Sequence, residues 1–365
     1  MNYRLAQIFP QKSYSADFTE TIDIDVIDPI SQLIIELCVT NVGSVAPNAH
    51  AIACLAKIEL LDGSDVLFSL SGYQAEAVDI YHNKIMRSNW NPYLDGLDVQ
   101  RFVGLNFGRK LWDPMLAFVP KNFKNPQLKL TLDINAGGNA PVLNKLRVWG
   151  ALFDQKEVTP VGFLMHKEIK NYSMGSASHE YTDLPRDFPY RKLFIRAQSA
   201  GTEPGQLVDK IKIYEEEGKR VIIDTEIPDM LLRTIASSPM LQEILYGHVS
   251  TISTNGFCTP TARVVGSCQR WALTAGAGEI AFYDGDGGRF KVIAATAASN
   301  MQAKISGWLP HATYELPFGD QEDPADWFDV TKLGSLKADI LSLSGGSGIA
   351  CQLFLQQLRR YAGAA

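Results

Sequence analysis

The sequence predicts an all-β protein built from two similar antiparallel sandwiches in tandem, with short helices confined to loops. The first observation behind this is a repeat at the scale of a domain. Lys57-Ile58-Glu59-Leu60-Leu61, followed by Asp62-Gly63, returns as Lys210-Ile211-Lys212-Ile213-Tyr214 followed by Glu215 to Gly218. Asp113-Pro114 with Phe118 returns as Asp323-Pro324 with Phe328, and each copy ends alike: Leu128-Lys129, Gly137-Gly138 and a run to Phe153, against Leu336-Lys337, Gly345-Gly346 and a run to Leu358. The second observation is period-two alternation of apolar and polar residues, the signature of strands with one wet face. The third is frequent turn chemistry without a strand–helix–strand rhythm, which argues for antiparallel sandwiches and against a parallel sheet.

Taken in order, Thr21 to Val26 alternates apolar and acidic residues, and Leu33 to Val39 is more continuously apolar, as in a strand covered on both faces. Ile52 to Leu61, the turn Asp62-Gly63 and Val66 to Leu70 form a hairpin, since Asp-Gly tolerates the positive φ of a tight turn. Tyr73 to Arg87 reads as a helix with Ala77, Ile80, Tyr81, Lys84 and Ile85 near one face and its charges elsewhere. Strands follow at Val99 to Phe107, Lys110 to Phe118, Leu128 to Ile134 and Leu143 to Phe153, punctuated by Asp113-Pro114 and Asn125-Pro126.

The second half repeats the plan: strands at Val161 to Ile169 and Tyr190 to Ala197, a hairpin from Leu207 to Tyr214 and Arg220 to Asp224, and a helix from Pro228 to Leu245 opened by its proline. Further strands are expected at Val249 to Ile252, Arg263 to Leu273, Glu279 to Tyr283, Phe290 to Ala297 and Met301 to Leu309. Cys351 to Tyr361 has helix-favouring residues, but the repeat equates it with Leu143 to Phe153, so it is assigned as a strand. About eight antiparallel strands per half in two sheets is a jelly roll, and two in tandem make a double jelly roll. The boundary is placed between residues 157 and 158, giving an N-terminal sandwich over 1–157 and a C-terminal one over 158–365. The second is longer, chiefly between Val249 and Trp327, and the extra residues are expected to carry exposed surface.

Composition narrows the class. With 365 residues, 46% apolar and 20% charged, the chain has the content of two globular domains. No apolar run approaches the ~18 residues of a membrane span, and the first residues lack the apolar core of a signal peptide. The net charge of −6 offers no basic field for nucleic acid, so direct sequence-specific nucleic-acid binding is not expected. Cys38, Cys54, Cys258, Cys268 and Cys351 are widely spaced without a Cys-x-x-Cys pair, the pattern of buried free thiols in a reducing cytoplasm. The sequon at Asn171 carries no weight without a secretory signal.

Motif by motif, chemistry is not found. Gly276-Ala277-Gly278-Glu279-Ile280-Ala281 fits G-x-G-x-x-A, but that motif works where a strand feeds a helix, and Glu279 to Tyr283 reads as a strand. Asp284 and Asp286, in Tyr283 to Gly288, offer carboxylates to calcium but lack the spacing of an EF-hand loop, so a hairpin turn is preferred. Ser347 sits outside G-x-S-x-G. The histidines at 50, 82, 166, 179, 248 and 311 lack metal-ligand spacing and are assigned to surfaces or interfaces. Carboxylates such as Asp320, Glu322, Asp323 and Glu215 to Glu217 lie in polar loops. No catalytic, cofactor-binding or metal residues are assigned, and no enzyme activity is expected.

Interaction features are richer. Trp90, Tyr93, Trp112, Phe118 and Phe123 crowd one loop region, and Trp308, Tyr314, Phe318, Trp327 and Phe328 its counterpart. Such loops pack either on their own sandwich or on a neighbouring subunit. Arg4, Lys12 and Arg359-Arg360 give basic ends.

Trp112 to Phe118, Asn125 to Leu130, and Asp183-Leu184-Pro185 through Tyr190 to Leu193, together with the tandem repeat, resemble the double jelly-roll major capsid proteins of tailless icosahedral viruses. The resemblance covers nearly the whole chain. The compact size, with little room for towers, is most similar to members from membrane-containing bacteriophages. It implies homotrimers whose six jelly rolls form a pseudo-hexagonal capsomer, neighbouring capsomers, penton and minor capsid proteins as partners, contact of the termini with an internal viral membrane, synthesis in the host cytoplasm and residence in the virion. It brings no catalytic residues. The alternative reading is a carbohydrate-binding or carbohydrate-active double sandwich, with Trp90 and Trp112 stacking on sugar rings. A third is a cytosolic oligomeric scaffold.

Overall fold

The computed structural model describes residues 2–362 except 44–45, 140, 142, 250–253, 272–279, 284–285 and 295–298. The first half contains β1 (Tyr3–Tyr14), β2 (Phe18–Asp23), β3 (Ile30–Thr40), β4 (Leu55–Asp62), β5 (Asp65–Leu70), α1 (Gly72–Asn83), β6 (Trp90–Pro92), β7 (Asp98–Asn106), β8 (Pro126–Leu132) and β9 (Leu143–Phe153). They form two facing sheets, β1-β9-β3-β7 and β2-β8-β4-β5, whose neighbours run antiparallel. This is jelly-roll topology. Alternation places Leu33, Ile35, Leu37 and Val39 of β3 opposite Ile58 and Leu60 of β4 and Leu128, Leu130 and Leu132 of β8, all buried in one cluster.

The second half contains β10 (Gly162–Ser173), β11 (His179–Asp183), β12 (Tyr190–Ala197), β13 (Val208–Glu215), β14 (Arg220–Glu226), α2 (Ile227–Ser237), β15 (Leu241–Val249), β16 (Thr254–Phe257), β17 (Val265–Trp271), β18 (Ile280–Tyr283), β19 (Arg289–Ala294), β20 (Ser299–Gly307), β21 (Thr313–Pro317), β22 (Leu336–Ser342) and β23 (Ala350–Arg360). Its jelly roll pairs β10-β23-β12-β21 against β11-β22-β13-β14, the same order as in the first half.

The repeat holds at the level of single hydrogen bonds. Ile30 and Phe118 exchange N–H···O bonds of 2.7 and 2.9 Å, and Tyr190 and Phe328 exchange their equivalents at 2.9 and 3.1 Å. Phe153 donates to the Pro29 carbonyl at 3.0 Å as Leu358 does to Pro189 at 2.9 Å. A register shift falls between Ile30 and Gln32 and again between Tyr190 and Lys192. The hairpin turns are tied down alike: Asp62 accepts from the Asn125 N–H at 2.8 Å, and Glu216 from the Gly334 N–H at 2.6 Å. Gly63 takes φ +62°, as the tight Asp-Gly turn requires.

Several expectations are corrected. The helix expected from Pro228 to Leu245 stops at Ser237, and β15 begins at Leu241, because Pro239 lies between them and the following residues pair with β20. Lys110 to Phe118 is a chain of turns with bridges only at Leu116 and Phe118. β1 and β11 were not anticipated. The strands expected between residues 249 and 309 do not belong to the second sandwich: β15 to β20 form an insertion between β14 and β21, arranged as the sheets β17-β20-β15-β6 and β16-β19-β18. The chain therefore carries more than two bare sandwiches. The insertion is anchored on the first half, since β15 pairs in parallel with β6.

The two sandwiches are joined by more than the linker Asp154 to Val161. His166 and Lys167 of β10 pair in parallel with Phe68 and Ser69 of β5, fusing one sheet from each half into an eight-stranded sheet. Phe194 and Phe354, stacked at 5.1 Å on the outer face of β12 and β23, are buried in the first sandwich's apolar cluster.

Candidate functional site at the junction of the sandwiches

The densest polar chemistry lies where the first sandwich, the insertion and the return to β21 meet. α1 begins with a full capping box, Ser71 accepting from the Gln74 N–H and Gln74 from the Ser71 N–H. It is buried on nearly every side, so the expected solvent-facing charges are misplaced: Glu76 and Asp79 point into the interior. The cause is tertiary, because α1 lies between β7 and the second sandwich, where Tyr81 donates to the Thr313 carbonyl at 2.5 Å.

Arg101 of β7 is fully buried and pairs with both Glu76 of α1 and Glu243 of β15, the latter at 2.9 Å. Asn91 of β6 accepts from Arg101 at 2.9 Å and donates to Glu243 at 2.6 Å. Thr259 accepts from Arg101 at 3.0 Å, and its backbone N–H donates to Glu243 at 2.7 Å. His50 accepts from the Ile52 N–H through Nδ1 at 3.3 Å, which leaves its Nε2–H to donate to Thr259 Oγ1 at 3.2 Å. His311 and Ala312 both take left-handed backbone angles, φ 49° and 56°, and this turn aims His311 Nε2 at Glu76 Oε2, 2.8 Å away. Asp79 closes a second network with Arg87 at 2.5 Å and Asn106 at 2.8 Å.

The electrostatics follow from burial and pairing. Burial alone would raise the Glu76 carboxyl, but Arg101 and His311 outweigh it and hold it at about 2. Glu243 is likewise held well below the usual carboxylate range despite burial, by His50 and Arg101. Burial pushes His311 down to about 4 against the pull of Glu76.

Ligand atoms of His50, Glu76 and His311 lie within 4.8 Å of one another, spacing that a metal ion can use. Two features oppose a cation there. Arg101 already supplies positive charge at Glu76, and the acceptor bond at His50 Nδ1 puts the proton on Nε2, the atom that would have to ligate. The arrangement is a brace linking three parts of the chain.

Other sequence candidates are dispersed. His50, His166 and His311 are core residues, not surface ones, because each finds a buried partner; for His166 it is Gln356 at 2.8 Å. Asp284 and Gly276 to Glu279 lie outside the described residues. Ile280–Tyr283 is a strand, so the glycine motif does not open a helix. Asp286 bonds to Glu203, whose carboxyl is pushed up to about 7 by burial first and by Asp286. Tyr93, Phe118, Tyr314, Phe318 and Trp327 are buried, Trp112 stacks on Tyr3 at 4.4 Å, and Trp90 lies 4.5 Å from Tyr246. The aromatic loops thus pack on their own chain, with Trp90 still half exposed. Arg4, Lys12 and Arg359 pair with Asp28, Glu20 and Asp65. All five cysteines are free, and no described helix is long and apolar enough to cross a membrane. Sequence reasoning missed the Arg101 cluster, for which the signal was a cationic residue on the inward phase of a strand, between Val99 and Val103.

No protein-family model and no curated protein matches the sequence. Solved structures do. The major capsid protein of Sulfolobus turreted icosahedral virus aligns over 99% of this chain and 97% of its own, with TM-score 0.60 and 11% identity. PBCV-1 VP54 aligns over 98% and 94%, with TM-score 0.57 and 10% identity, and the major capsid protein P2 of bacteriophage PM2 over 99% and 99%, with TM-score 0.52 and 11% identity. The fold is the double jelly roll. In this double jelly roll the buried brace ties the insertion of the second roll onto the first, so that both rolls and the insertion present one continuous framework.

Proposed function

We propose that the chain is the major capsid protein of a tailless icosahedral virus and that it acts structurally, without catalysis. The observation that carries this is end-to-end superposition, in both directions, on double jelly-roll capsid proteins. A junction built as a buried ionic brace, in place of an open cleft, supports the non-catalytic reading. The domain boundary is placed at residues 157/158, in the segment between β9 and β10. Homotrimers forming pseudo-hexagonal capsomers in the virion, packed against neighbouring capsomers, penton and minor capsid proteins over an internal membrane, extend the same reading. Two linked rolls turn a threefold assembly into a near-sixfold block that tiles a hexagonal lattice. Size-exclusion chromatography with electron microscopy tests it: the expected species is a trimer with a pseudo-hexagonal outline, and a chain that stays monomeric at high concentration defeats the proposal. The carbohydrate reading is weakened, since Trp112 is stacked on Tyr3 and the half-exposed Trp90 lies against Tyr246.

A further inference from the structure

We infer that β14 of one copy pairs in parallel with β1 of a neighbouring copy, repeating between chains the contact that β5 and β10 make within the chain. The inference rests on the capsid reading only in requiring self-association. It starts from the internal repeat. β5 and β14 are equivalent strands, as are β10 and β1, by their positions in the two rolls. Within the chain, the edge strand β5 of the first roll is covered by β10 of the second. The counterparts β14 and β1 both stand at sheet edges, paired on one side only among the described residues. Open edges of this kind are templates for strand addition.

The register can be read across. Phe68 lies opposite Leu60, and Ile223 opposite Ile213, so Phe68 corresponds to Ile223. His166 lies opposite Gln356 and Leu5 opposite Ala151, and Phe153 and Leu358 share the bond to their respective prolines, so His166 corresponds to Leu5. The intrachain pair His166 and Phe68, rings 5.2 Å apart, becomes Leu5 of one copy against Ile223 of the next. Leu5 is 62% exposed in the single chain, and Val221, beside Ile223 on β14, is 44% exposed. Both lie on strand edges that the pairing would cover.

The faces behind the edges agree. Phe194 and Phe354, on the outer side of the second roll, are buried by the first roll; their cross-strand equivalents Ile34 and Trp149, on the outer side of the first roll, are left half-buried. The fifth residue after the start of α1, Ala77, is fully buried by this packing, whereas the fifth after the start of α2, Leu232, is 52% exposed. A groove of about 420 Å³ between α2, β14 and β21 occupies the place that β10 fills in the first roll. Each bare surface of one roll therefore matches a covered surface of the other, and applying the intrachain relation again seats the first roll of a second copy on the second roll of this one.

The test is disulfide trapping in the full chain carrying Leu5→Cys and Ile223→Cys. Non-reducing electrophoresis is expected to show covalently joined chains, and Phe18→Cys with Ile223→Cys, which combines β14 with a different edge, is expected to show none. A second variant, Leu5→Asp, buries an unpaired charge at the contact and is expected to weaken self-association by roughly tenfold or more while leaving the thermal midpoint of the monomer unchanged. An oligomer that forms but neither cross-links at 5 and 223 nor responds to Leu5→Asp overturns the strand pairing and leaves the capsid reading standing. A chain that never self-associates overturns both.

Discussion

Arg101 shows how much a single buried ion can hold. Its guanidinium pairs with both Glu76 and Glu243, which come from a helix of the first roll and a strand of the insertion. Removing one partner of a buried pair leaves an uncompensated charge, a loss of about 3–5 kcal/mol. Arg101→Met is therefore expected to lower the urea midpoint by that equivalent, and Arg101→Lys to recover little of it, because a point charge cannot serve both carboxylates, Asn91 and Thr259 together. His311 gives the network a pH dependence. Its ordinary value of 6.5 is pushed down to about 4, so the unfolded chain binds the proton more tightly than the folded one. The stability it permits is full above about pH 6.5 and is lost as pH falls toward 4, at about 1.4 kcal/mol per pH unit. His166, pushed down to about 3 by burial and then by Arg191 and Lys192, adds a slope of the same sign. Denaturation midpoints measured from pH 7 to 4 should fall, and His311→Gln should make that fall shallower.

Among the elements, α1 and α2 behave differently although they occupy the same place in the repeat. α1 carries a capping box and is enclosed; α2 has no side-chain cap, opens with Pro228 and keeps an apolar residue in solvent. Ser71→Ala is expected to lower stability by about 1 kcal/mol in chemical denaturation, since the capped N–H is in a poorly solvated position. The hairpins and the strands at Leu33 to Val39 and Leu143 to Phe153 were legible because apolar patterning and Asp-Gly or Gly-Gly turns are local signals, whereas Cys351 to Tyr361, whose residues favour helix, was legible as a strand only through the repeat. β1 was not legible: Tyr3 to Tyr14 includes Pro10 and Lys12, and its pattern is that of an edge, with weak alternation. The Glu76 and Asp79 face of α1 was misassigned because charges in a helix read as solvated until their partners, Arg101 for Glu76 and Arg87 and Asn106 for Asp79, are known.

For the whole molecule, topology counts two rolls, but energetics couple them. Glu243 and Thr259, inserted in the second roll, complete a network centred in the first, and Phe163 and Met165 of β10 pack in the first roll's core. A fragment of residues 1–157 would expose that core and strand Arg101 with fewer partners. It is expected to bind a hydrophobic dye and to lack a cooperative thermal transition, whereas the full chain unfolds cooperatively. By itself, the sequence determined the fold class, the duplication and the absence of a recognisable catalytic motif, because alternation, turn residues and repeated punctuation act over a few residues at a time. Only the tertiary structure decided that β15 to β20 leave the second sandwich as an insertion, that histidines and acids join in one buried brace, and that β1 and β14 remain as open edges among the described residues. Those depend on which strands pair across long separations, and that is set by the mutual burial of faces that no local pattern records.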